Sequence, residues 1–128
     1  IYFFKKFSEA PLGELLLENI KLAGYKNPAP IQKYGIPIAL MGRDLMGCAQ
    51  TGLLRDSKQK QLIYKPLPGS GKTAAFLLPT LALILRNPRP KLLSEERRVC
   101  PLILILAPTR ELACQIFEES RKVQIELL

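Results

Sequence analysis

Gly69-Ser70-Gly71-Lys72-Thr73 is the segment of this chain best equipped for chemistry. Its glycines let backbone amides approach a phosphate, and the helix that follows offers its positive N-terminal end. Lys72 can reach β- and γ-phosphate oxygens, and the Thr73 hydroxyl can ligate Mg2+. Taken alone, these five residues could equally be a flexible turn with an incidental lysine and threonine. A complete phosphate loop also begins directly after a strand. Here Ala49-Gln50-Thr51-Gly52 closes an apolar run, Ser70-Gly71-Lys72-Thr73 opens a helix, and residues 53–69 stand between them. Joined, the two pieces spell AQTGSGKT, an intact loop of the form A-x-x-G-x-G-K-T.

Two further groups have matching chemistry. The Gln32 side-chain amide donates and accepts at once, so it can meet both N6 and N7 of an adenine; in isolation it would read as a solvated helix polar. Farther on, the Thr109 hydroxyl, the amides of a helix start and the Arg110 guanidinium are all phosphate ligands. Arg110 could instead serve an internal ion pair. Contacts to a sugar-phosphate backbone carry no base code, so sequence-independent binding is expected.

Positioning these residues requires several elements. Ser8 can cap a helix opening near Pro11 and running to about Ala23, with Leu12, Leu15, Leu16 and Ile20 at helical spacing and Gly24 as its stop. Pro30 starts a second helix through about Leu40, ended by Gly42. LMGCA reads as a buried strand, and Leu102–Ala107 as another. From Lys72 to about Arg86 a nearly all-apolar helix is expected, bent or loosened at Pro79 and buried on most sides. After the polar stretch NPRPKLLSEERR and the second strand, an amphipathic helix begins near Arg110 with Leu112, Ile116 and Phe117 inward. Strand, helix, strand, helix implies an α/β fold with a parallel sheet and flanking helices.

Composition sets the bounds. With 128 residues, 48% of them hydrophobic, the chain has the material for one small core. Its net charge of +8 favours a polyanionic partner. Residues 53–69 supply +3 of that charge through Arg55, Lys58, Lys60 and Lys65 against Asp56, and they follow neither periodicity. The three cysteines, Cys48, Cys100 and Cys114, lack C-x-x-C spacing and have no histidine to complete a zinc site, so they read as reduced intracellular thiols. The apolar run Ala74 to Leu85 is too short to cross a bilayer, and no signal peptide is legible at the start, which lacks an initiator Met and reads as incomplete.

The pieces GRDLMGCAQTG and SGKTAAFLLPTL resemble the DEAD-box RNA helicases, most closely the Vasa-like subgroup, with Gly47 where Ala is usual. GYKNPAPIQ, residues 24–32, is similar to the family's Q motif, with Ala29 in place of the usual Thr; Phe7 matches the upstream aromatic that stacks on adenine, and Tyr25 lies within the motif. Residues 108–113, PTRELA, resemble motif Ia. The resemblance implies a partial RecA-like P-loop domain over 1–128, with a Q-motif region at 7–32, an insertion in the phosphate loop at 53–69 and motif Ia at 108–113. It implies ATP and Mg2+ as cofactors. Phe7, Tyr25, Gln32, Ala49, Gln50, Thr51, Gly52, Gly69, Ser70, Gly71, Lys72 and Thr73 would hold the nucleotide. Lys72 and Thr73 would act in catalysis, and Thr73 would ligate the metal. Pro108, Thr109, Arg110 and Glu111 would hold the RNA backbone.

The resemblance further implies a cytoplasmic or nuclear protein that remodels short RNA duplexes. The D-E-A-D run, the S-A-T motif and a second RecA-like domain do not occur in these 128 residues, so the chain is expected to lack turnover by itself. Residues 53–69 begin after one glycine and end on another, and their removal restores AQTGSGKT, as a retained intron or mis-assigned exon would. The alternative is a helicase-derived product with no activity. Transporter ATPases and kinases, which also carry phosphate loops, have no reason to combine the Q motif with PTRELA.

Overall fold

The computed structural model describes residues 3–48, 71–87 and 101–124. Among these residues a 3-10 turn, Phe7–Glu9, is followed by four helices: α1 Glu14–Leu22, α2 Pro30–Leu40, α3 Lys72–Arg86 and α4 Arg110–Gln124. The starts and ends of α2 and α3, and the start of α4, agree with the sequence expectation. α1 begins later than expected because Ala10 is extended and Gly13 has φ +91, so the chain cannot turn helical before Glu14. Ser8 consequently lies within the 3-10 turn, and no side chain caps α1. Gly24 and Gly42, both at positive φ, follow α1 and α2 and end them as expected.

The apolar spacing read from the sequence becomes a shared core. Leu16 and Ile20 of α1 meet Leu78, Ala74 and Ala82 of α3, Ile36 of α2 and Val123 of α4, with Phe4, Phe7, Ala10 and Leu12 closing one end. α2 packs chiefly on α3, while α1 touches α3 and α4. α3 runs unbroken through Pro79, which is itself buried, so the proline removes a backbone donor without ending the helix. At the far end of α3, Arg86 Nη2 donates to the Pro11 carbonyl and ties that helix to the segment before α1. Asn19 lies buried with neither amide atom partnered among the described residues.

The expected parallel sheet is not seen among the described residues, which show the helical part of the α/β reading. Residues 43–48 and 101–107 run without helix, and neither forms a strand ladder. Parallel strands are stable when paired and covered on both faces. Here Met46 is 92% exposed, Leu104 76% and Leu106 82%, so these side chains have found no cover. The helical layer forms because its hydrogen bonds are local; a sheet needs partners distant in sequence. α4 departs from expectation for the same reason. Leu112 and Phe117 are exposed, and only Val123 near its C-terminal end enters the core.

Uncovered apolar segments of this kind promote association. Replacing Leu104 and Leu106 together by Glu should raise the monomeric fraction in size-exclusion chromatography while leaving the helical circular dichroism unchanged. An unchanged monomer fraction would place the association elsewhere.

Candidate functional site

The site is built on the junction of α2 and α3. Ala29, in extended conformation, precedes α2, and Pro30 takes the first helical position where no amide donor is needed. Gln32, one turn in, is 2% exposed and therefore not a solvated helix polar. Its Oε1 accepts the Ala29 N–H at 2.8 Å, and its Nε2 donates to the Gly71 carbonyl at 3.1 Å. Half of a capping box is thus present. The reciprocal half is missing because Ala29 has no side-chain oxygen, the consequence expected from alanine in the place of threonine.

Gly71, expected from the sequence to lie in a phosphate loop, immediately precedes α3. It has φ +77, and a Cβ there would sit 2.7 Å from Gln32 Nε2 and 2.8 Å from the Ala29 Cβ. Only glycine meets both conditions. The Gly71 carbonyl also accepts the Ala75 N–H at 2.9 Å, so α3 starts in a fixed relation to the Gln32 side chain. Lys72 and Thr73, both half-buried, lie in the first turn of α3, which has no acidic residue to oppose an anion at the helix's positive end. Ala49, Gln50, Thr51, Gly52, Gly69 and Ser70, together with the insertion at 53–69, lie outside the described residues.

Phe7 and Tyr25 are brought together. Their rings meet edge to face with centroids 6.2 Å apart, and Phe7 also packs on Phe4, which leaves it 6% exposed. The Tyr25 hydroxyl donates to Glu119 Oε1 on α4, and Glu119 Oε2 accepts from Lys122 Nζ at 2.8 Å. Burial first, then the hydrogen bond and charge of Glu119, hold the Tyr25 hydroxyl well above tyrosine's ordinary 10.0. Burial alone would raise the Glu119 carboxyl, but the hydrogen bonds from Lys122 and Tyr25 outweigh it and hold the group below its ordinary value. The Lys122 ammonium is held above its ordinary value by its hydrogen bond to Glu119 and by the charge of that carboxylate.

The second expected cluster stands apart in character. Pro108, Thr109, Arg110 and Glu111 are all exposed at the start of α4. Thr109 Oγ1 accepts the Leu112 N–H at 3.2 Å, an N-cap that still leaves the hydroxyl hydrogen available to a ligand. Arg110 makes no ion pair among the described residues, so the internal-pair alternative is not realised there. A shallow cleft lined by Ile105, Ala107, Ala113, Ile116, Phe117 and Ser120 lies beside this end. Glu119 was not among the residues singled out from the sequence. Its i, i+3 spacing to Lys122 was visible there, whereas its bond to Tyr25 spans 94 positions and leaves no local signal.

Gly71→Ala should destabilise the chain by at least about 1–2 kcal/mol from the left-handed backbone alone, with a further cost from displacing the Gln32 amide, as read from denaturant melts. Tyr25 gives a prediction in pH. Its folded-state value is raised, so its stabilisation is complete below pH 10 and is lost as pH climbs toward the folded value. The stability gap between the natural chain and Tyr25→Phe should therefore be constant from pH 8 to near 10 and close above it in thermal melts; a gap that ignores pH would remove the Tyr25–Glu119 bond as its source.

Residues 55–127 match the family model described as "DEAD/DEAH box helicase". Among solved structures, the chain is similar to the RNA-helicase Prp28 from Chaetomium thermophilum bound to ADP, at 41% identity and a TM-score of 0.70, over 98% of this chain and 25% of that one. The chain thus spans about a quarter of the length of that protein. With more than half of its residues matched by the family model, the chain belongs to the DEAD/DEAH box helicases.

Proposed function

We propose that this chain is the nucleotide-recognition part of an ATP-dependent RNA helicase, an intracellular protein of the cytoplasm or nucleus that binds ATP and single-stranded RNA and remodels short duplexes. The single observation that carries this reading is the Gln32 side chain, buried and bonded to Gly71, because it puts the residue suited to adenine in contact with the glycine that begins the phosphate-binding helix. Both amide atoms of Gln32 bond the protein's own backbone, and each retains one further donor or acceptor site. Adenine would meet those remaining sites, so base recognition and the position of Gly71 would be linked through one side chain. Tyr25, on the loop between α1 and α2, and Phe7, in the 3-10 turn, pack edge to face; the stacking role of Phe7 rests on the resemblance, since its ring lies in the core.

The α3 N-terminus, Lys72 and Thr73 would neutralise phosphate charge, which is how this class of reaction is accelerated. Thr73 would hold Mg2+ through its hydroxyl, where the ion would supply further neutralisation of phosphate charge; no cluster of acidic ligands stands among the described residues. Pro108, Thr109, Arg110 and Glu111 would hold RNA backbone at the exposed start of α4. The Vasa-like assignment rests on the wording of GRDLMGCAQTG and SGKTAAFLLPTL alone.

One observation favours a second reading, a helicase-derived product without activity. Residues 53–69 separate the two halves of the loop, and seventeen residues can extend over roughly 55 Å. Read without a join, Pro66 and Pro68 fall where the loop needs amide donors. Titration with a fluorescent ATP analogue separates the readings. The chain as it stands should bind more weakly than micromolar, a variant lacking residues 53–69 should bind at least about tenfold more tightly, and Gln32→Ala in that variant should reverse the gain. Neither form should hydrolyse ATP. A folded deletion variant that still fails to bind would favour the inactive product; micromolar binding by the undivided chain would show that the separation of the loop is harmless.

A further inference from the structure

Helix α4 is fastened at one end. Arg110 to Gln115 are exposed, Phe117 is 61% exposed, and burial begins with half-buried Ile116, continues at Glu119 and Ser120 and ends with Val123 in the core. The start of α4, with Thr109 and Arg110, therefore projects from an anchor in its second half. That anchor has a polar component that packing does not require. The Tyr25 hydroxyl reaches one oxygen of Glu119 and Lys122 the other, so both carboxylate oxygens are engaged. Hydrogen bonds to an ionised acceptor are the stronger kind. A Glu–Lys pair at i, i+3 on a helix surface contributes little and needs no third member; here the third member comes from another element. Tyr25 belongs to the loop between α1 and α2, which also carries Ala29, the partner of Gln32. The same short loop is thus bonded toward α3 through Gln32 and toward α4 through Tyr25.

We infer that Tyr25, Glu119 and Lys122 form a latch that sets the start of α4 relative to the loop serving Gln32, with Glu119 and Lys122 as positioning residues for the RNA-backbone contact. The inference rests on the functional reading given above, in which that loop meets adenine and that end of α4 meets RNA. A shift of the loop on nucleotide binding would be passed to Glu119 through the tyrosine hydroxyl, and a helix anchored in its second half moves most at its free end. Val123 provides the apolar contact, and the latch provides the orientation.

Backbone amide exchange of the full 128-residue chain tests the latch without any ligand, comparing it with Tyr25→Phe, Glu119→Gln, Lys122→Met and the Tyr25→Phe/Glu119→Gln double variant. The phenylalanine keeps the ring against Phe7, and the glutamine keeps the shape of Glu119, so helical circular dichroism should be preserved. Exchange at residues 110–117 should quicken by about two- to tenfold in Tyr25→Phe and in Glu119→Gln, the span expected from one net hydrogen bond. The double variant should go no further than the larger single effect, and Lys122→Met should do less than Glu119→Gln. Quickening confined to residues 24–32, additive single effects, or exchange at 110–117 that is already unprotected in the natural chain would overturn the inference. Fluorescence anisotropy with a labelled oligouridine, run on the same samples at fixed salt, judges the functional reading separately. If the natural chain binds no RNA, that reading of α4 fails, while the exchange data still decide whether the latch exists. If it binds, the two latch variants should bind several-fold more weakly; unchanged binding despite quickened exchange would overturn the positioning role.

Discussion

The side-chain amide of Gln32 is the contact on which the described structure turns. It is buried, and a buried amide must find partners or lose the hydrogen bonds it had in water. It finds them on two segments that are otherwise unrelated, the backbone N–H at the entry of α2 and the carbonyl that precedes α3. The close approach this demands explains why position 71 is glycine, and why α2 and α3 form the principal helix pair. Each amide atom makes one of its two possible hydrogen bonds there, so the side chain ties α2 to α3 and keeps one donor and one lone pair in reserve.

Much of this layer was legible in the sequence. Pro30 and Gly42 bracket α2, Gly71 and Arg86 bracket α3, and the Leu16–Ile20 spacing gives the buried stripe of α1; each signal acts within one or two turns. The pairing of Gln32 with the phosphate loop was legible only through the order of motifs, since no periodicity joins positions 39 apart. The start of α1 was misread because Leu12 has the right spacing and is buried, yet it belongs to the extended entry held off the helix by Gly13. Tyr25–Glu119 was invisible for a different reason: a tyrosine and a glutamate are unremarkable surface residues until the fold places them together.

The two apolar runs mark the limit of local reasoning. LMGCA and Leu102–Ala107 have the composition of buried parallel strands, but composition states what a segment requires and does not supply it. Strand formation depends on neighbours that contribute hydrogen bonds along both edges and side chains over both faces. Helices α2 and α3 need no such neighbours for their backbone bonds, so they stand in the absence of a ladder among the described residues, while Leu104 and Leu106 remain in contact with water.

That asymmetry bears directly on phosphate binding. In the joined form AQTGSGKT, the first four residues follow an apolar run and the last four lead into α3. Of the second half, Gly71 is held on two counts, by its left-handed backbone and by Gln32. Leu45 and Met46, upstream of the first half, are exposed and unpaired in a ladder. A cradle that wraps an anion needs both walls fixed, since each amide contributes only when it points at the same oxygen. Gly71, Lys72 and Thr73 take their places from the meeting of α2 with α3, through hydrogen bonds that need no sheet.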